Sequence, residues 1–128
     1  MRLEAAIEGA RATPFAWGES DCCLFAADCV KAITGIDLAA AYRGQYQSRR
    51  GAFSALKRIG NGGVEAAARA ALSDPLSSPY LAKRGDVVLM TQKEGPALGI
   101  CVGERCAYKG PSGVVFHPLS SVQAAWRV

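Results

Sequence analysis

The side chains able to act as nucleophile, base or soft metal ligand are few. Five cysteines stand at positions 22, 23, 29, 101 and 106, and a single histidine, His117, lies near the end of the 128 residues. One imidazole excludes every site that needs two, including the usual catalytic zinc sets and the two-histidine helical metal motif. No two cysteines have Cys-x-x-Cys spacing, so no metal is expected. Gly60, Gly62 and Gly63 are not followed by Lys-Ser or Lys-Thr, so the phosphate-loop pattern is missing and no cofactor is expected. Acid–base chemistry by an imidazole would fall to His117 alone.

Position singles out one thiol. Ser20 or Asp21 can cap a helix that begins at Cys22 and runs on through Ala26, Cys29 and Ile33. A thiol in a first helical turn meets unpaired backbone N–H groups and the positive end of the helix dipole, which favour thiolate over thiol. Cys22 is therefore the candidate nucleophile. A packing role beside Phe25 and Cys29, which share its helix face, stays open. Cys23 points about 100° round the helix and Cys29 lies two turns in, so both read as packing residues. His117 follows the apolar run Val114-Val115-Phe116 and precedes Pro118, at the end of a strand. It is either the base for Cys22 or a turn histidine, and Asp86 and Glu94 are further groups that could contact the site.

The elements that must position these groups follow from periodicity. Leu3, Ile7 and Ala10, then Phe25, Cys29 and Ile33, then Phe53, Leu56 and Ile59 recur at helical spacing, and Val64 to Leu72 forms a fourth, alanine-rich helix. After Pro79 come five short apolar runs divided by turn residues: 86–90, 97–102, 105–108, 114–116 and 124–128. The expected fold is α+β, one domain over residues 1–128, with N-terminal helices packed on a C-terminal antiparallel sheet. Gly103-Glu104 suits a two-residue hairpin loop that sets Cys101 opposite Cys106, close enough for either two reduced thiols or a strained disulfide.

Half of the residues are hydrophobic and 20% are charged, which excludes a disordered or fibrous chain. The net charge of +4 is concentrated in Arg43, Arg49, Arg50, Lys57 and Arg58, interleaved with Tyr42, Tyr46 and Phe53. A solvated helical face accounts for these, so a nucleic-acid partner is not expected. No run is long and apolar enough to span a membrane. Glu4, Glu8 and Arg11 interrupt any signal-like start, so synthesis and folding in a cytoplasm with reduced thiols is expected.

Two segments resemble a known superfamily. Trp17-Gly18-Glu19-Ser20-Asp21-Cys22-Cys23-Leu24-Phe25 is similar to Trp-Gly-Gly-x-Asp-Cys-Ser-Gly-Phe, the nucleophile motif of the NlpC-like, papain-like cell-wall cysteine peptidases. Lys83-Arg84-Gly85-Asp86-Val87-Val88 is similar to their Pro-Gly-Asp-Leu-Val, and Ala97-Leu98-Gly99-Ile100 to their His-Val-Gly-Ile. The resemblance implies a papain-like fold, Cys22 as nucleophile, and Ala97 where the general-base histidine belongs. With two intervening strands, His117 would lie roughly 10 Å from that position.

Small tail proteins of phages and prophages carry a similar Asp-Cys element. They also show a Tyr-Arg-Gly-x-Tyr element like Tyr42 to Tyr46 and an Ala-Trp-Arg-hydrophobic ending like Ala125 to Val128. The resemblance thus implies a tail-tip-associated structural or binding component acting near the cell wall. Its partners would be other tail proteins and peptidoglycan peptides; it would be made in the host cytoplasm and carried in the virion tail. The alternative is an active endopeptidase that cuts peptidoglycan stem peptides through Cys22 with His117 as base.

Overall fold

Apolar residues at three- and four-residue intervals close into helices because only then does one stripe of each face a common core. The computed structural model describes residues 2–60, 62–93 and 95–128, so Glu94 lies outside the described residues. Four α-helices come first: α1 (Arg2–Ala12), α2 (Cys22–Thr34), α3 (Arg49–Gly60) and α4 (Val64–Leu72). Five strands follow: β1 (Val87–Gln92), β2 (Gly95–Cys101), β3 (Arg105–Gly110), β4 (Gly113–Pro118) and β5 (Ala124–Trp126). The class is α+β, as the order of periodicities implies.

Every strand pairing is antiparallel, and the sheet order is β4-β3-β2-β1-β5. The last strand therefore crosses to the far edge beside β1, which periodicity alone did not indicate. Side chains alternate between the two faces. One face (Val87, Leu89, Ile100, Ala107 and Trp126) packs on Leu3 and Ile7 of α1, Phe25 and Cys29 of α2, Leu56 of α3 and Val64 of α4. The other face (Val88, Met90, Cys101, Cys106, Tyr108 and Ala125) is covered more thinly, by Val122 with Leu76, Ala82 and Leu119.

The hairpin forms as its turn chemistry suggests. Gly103 takes a φ of +125°, the Val102 N–H donates to the Arg105 carbonyl at 2.9 Å, and Cys101 stands opposite Cys106. Both thiols are free and buried, and burial pushes Cys106 up to about 12.

Asp86 does not reach toward Cys22. Its carboxylate accepts the Lys83 N–H at 2.9 Å, Arg127 Nε at 2.9 Å and the Val128 N–H at 3.0 Å, so it anchors the chain end instead. Just before it, Trp126 is fully buried and donates its indole N–H to the Ser73 carbonyl at 3.1 Å. The Ala-Trp-Arg ending is thus a structural clasp that ties the sheet edge to the end of α4. Trp126→Ala is expected to lower unfolding free energy by about 3–5 kcal/mol, read as a reduced denaturant midpoint with the slope unchanged.

Candidate active site at the start of α2

The site is organised from one carboxylate. Asp21, almost fully buried, caps α2 with Oδ1 accepting the Leu24 N–H at 3.0 Å. Its Oδ2 accepts the Gly18 N–H at 3.0 Å and the Tyr46 hydroxyl at 2.6 Å. The Tyr42-Arg43-Gly44-Gln45-Tyr46 segment is thereby laid against Trp17-Gly18, and the Gly44 N–H closes the contact on the Gly18 carbonyl at 2.9 Å. Only glycine serves at position 18: its φ is +83°, and a β-carbon would sit 2.0 Å from the Tyr46 carbonyl oxygen. Arg43 folds inward onto Asp28 at 2.7 Å and Asp37 at 2.9 Å, so this member of the basic stretch is spent on structure.

A second brace comes from β3. Lys109, buried, donates its ammonium protons to the Ala10 carbonyl at 3.0 Å, the Thr13 carbonyl at 2.6 Å and the Ser20 hydroxyl. It ties the end of α1 and the approach to α2 onto the sheet. Desolvation lowers its pKa, and Asp28 and Asp21 oppose that shift.

Cys22 is the first residue of α2 and is half-buried, with its Sγ 3.8 Å from Cys23 Sγ. The two thiols titrate in opposite directions. Cys22 falls below the ordinary thiol range, chiefly because the Cys23 S–H can donate to it, with the Leu98 and Cys23 backbone N–H groups adding support against burial and the Asp21 charge. Cys23 rises well above that range because it keeps the shared proton and is buried beside its partner. The helix-start reading of Cys22 is thus joined by a local donor. Burial pushes Cys29, in the core, up to about 12.

Cys22 opens into a cleft of about 350 Å³ whose walls also include Trp17, Tyr42, Tyr46, Ala97, Leu98 and Tyr108. His117 lines the same cleft but makes no hydrogen bond to Cys22 among the described residues. Its ring stacks on Tyr108, centroids 5.0 Å apart and planes 20° from parallel. One strand, β3, rather than two, separates the strand of His117 from that of Ala97. Through Cys106, however, His117 aligns with Cys101, four residues along β2 from Ala97. At ~3.3 Å per residue and ~4.8 Å per strand, the two backbone positions lie roughly 16 Å apart. That is farther than strand counting suggested.

Tyr108 is the residue that the local pattern did not flag. Its hydroxyl accepts from the Gln92 amide and donates to Met90 Sδ at 2.8 Å. Burial pushes it up to about 12, opposed by the Gln92 bond and aided by the negative charge of Cys22. Lys109, by contrast, left a signal: a cation inside a strand, on the same parity as the inward-facing Ala107. Among the described residues, no group of three or more His, Cys, Asp or Glu side chains could hold a metal ion, and no helix is long and apolar enough to cross a membrane.

A family model described as Domain of unknown function (DUF6950) matches residues 1–128. No curated protein matches the chain.

Two outcomes follow from the geometry. Alkylation of Cys22 by iodoacetamide should reach half its maximal rate at a pH below the ~8.5 of a free thiol, and Cys23→Ala should move that midpoint upward, as mass mapping across pH would record. Tyr46→Phe removes a hydrogen bond to a buried carboxylate and should cost about 1.5–3 kcal/mol of stability by denaturant titration.

Proposed function

This chain belongs to the DUF6950 family, and we propose that it is a peptide-binding component of a phage or prophage tail tip, built on an NlpC-like frame and lacking amide cleavage of its own. The observation that carries this reading is the pairing of the thiol: Cys22 faces Cys23 and His117 is held against Tyr108, while an alanine stands at 97, where the resemblance puts the base. Cutting an amide requires a proton on the departing amine, and general acid–base help is worth ~10²–10⁴ in rate. Alanine supplies none of it. The cleft keeps what binding needs: aromatic walls from Trp17, Tyr42 and Tyr46 beside a polar Asp21 hub. The tail-tip setting rests on the likeness of Tyr42 to Tyr46 and Ala125 to Val128 to small tail proteins, with peptidoglycan stem peptides and neighbouring tail proteins as partners. On this reading the protein is made in the host cytoplasm and travels in the virion.

One observation favours a second reading, an active cysteine endopeptidase. Cys22 begins α2 with its thiolate supported by Cys23 and by backbone N–H groups, as a nucleophile would be. His117 would then have to leave Tyr108 to serve as base.

Purified muropeptides separate the two. The binding reading expects calorimetric binding of stem peptides by both the wild type and Cys22→Ala, with no new product by chromatography. Cleavage that disappears in Cys22→Ala overturns it, and loss of that cleavage in a folded His117→Ala variant would identify the base.

A further inference from the structure

The cleft does not end at Cys22. Its lining extends to Val30 of α2, Phe53 and Leu56 of α3 and Val64 and Ala68 of α4, an apolar channel on the helix side of the cleft. The two charged groups at its Cys22 end, Asp21 and Lys109, are spent on Gly18, Leu24 and Tyr46 and on Ala10, Thr13 and Ser20 respectively. Arg49, Gln92 and His117 also line the cleft, and most of the remaining wall beside the sulfur is hydrocarbon. Such a space suits an unbranched apolar chain whose reactive end meets Cys22.

The missing base narrows the chemistry further. An amide cannot release its amine without a proton, but a thioester releases a thiolate, a far weaker base that departs without being protonated first. Exchange between a thiolate and a thioester therefore needs neither the imidazole that Ala97 replaces nor His117. Resting on the reading of Cys22 as a supported nucleophile without a base, we propose that Cys22 accepts the acyl group of an apolar acyl thioester, the chain lying in the channel under α3 and α4.

The step balances without a further reactant. Cys22 Sγ adds to the thioester carbonyl carbon, the donor's C–S bond breaks, and its electron pair leaves on the donor thiolate. Nothing is oxidised or reduced, and no proton is transferred. The new Cys22 thioester persists, because hydrolysis would need a base to activate water and, among the described residues, His117 is stacked on Tyr108 and makes no hydrogen bond to Cys22. The site thus becomes an acyl-carrying cysteine in place of a turnover enzyme.

The test uses the full chain with acetyl-, butyryl- and octanoyl-coenzyme A, followed by intact mass and peptide mapping. One acyl group should appear on Cys22, be removed by neutral hydroxylamine and be absent in Cys22→Ala. The octanoyl adduct should form at least about tenfold faster than the acetyl one, since each buried methylene favours association by about fourfold. Ala68→Phe, which narrows the channel, should slow octanoyl transfer at least about fivefold while leaving acetyl transfer near wild type; the chain-length series on the wild type stands alone if that variant does not fold.

Acylation at Cys23 or at lysines, rates independent of chain length, or no adduct on a Cys22 that iodoacetamide still labels quickly would each overturn the proposal. Stem-peptide binding measured on the same preparation reports separately on the tail-component reading.

Discussion

The buried carboxylate of Asp21 is the interaction on which the rest of the site depends. It meets three donors at once, the Gly18 and Leu24 N–H groups and the Tyr46 hydroxyl. A carboxylate taken out of water is tolerated only when its lone pairs are met in this way, and each donor is fixed in return. The consequences spread outward: α2 starts where Asp21 caps it, Cys22 becomes its first residue, and the Tyr42 to Tyr46 segment is pulled over Gly18 to form one wall of the cleft. Because a β-carbon at position 18 would strike the Tyr46 carbonyl, the approach of these two segments also dictates the glycine.

Lys109 complements that hub from the other side. A buried ammonium with three oxygen partners links β3 to the end of α1 and to Ser20, one residue before the cap. The start of α2 is held between an anion rooted in the helix layer and a cation rooted in the sheet. Between them lies the half-buried Cys22, its sulfur 3.8 Å from that of Cys23.

Much of this plan could be read from residue order. The four helices, the five strands and their all-helix-then-all-strand sequence followed from periodicity, and α4 matched its predicted limits of Val64 and Leu72. The hairpin pairing of Cys101 with Cys106 followed from a two-residue glycine turn. Asp21 as cap and Cys22 as first helical residue were equally legible, since a cap joins groups only three residues apart. Tyr108, the tie of Tyr46 to Asp21, and the use of Asp86 to hold Arg127 and Val128 were not, because each joins elements distant in the chain.

The sequence by itself determined that one thiol sits at a helix start and that the chain holds a single imidazole, at His117. Both are local matters of residue identity and capping. Where that histidine lies relative to the sheet was decided only by tertiary structure. Strand order and register set His117 level with Cys101 rather than Ala97, and face alternation stacked it on Tyr108. A shift of four residues in register would change that alignment with no change in composition, since register follows from which side chains a sheet must bury.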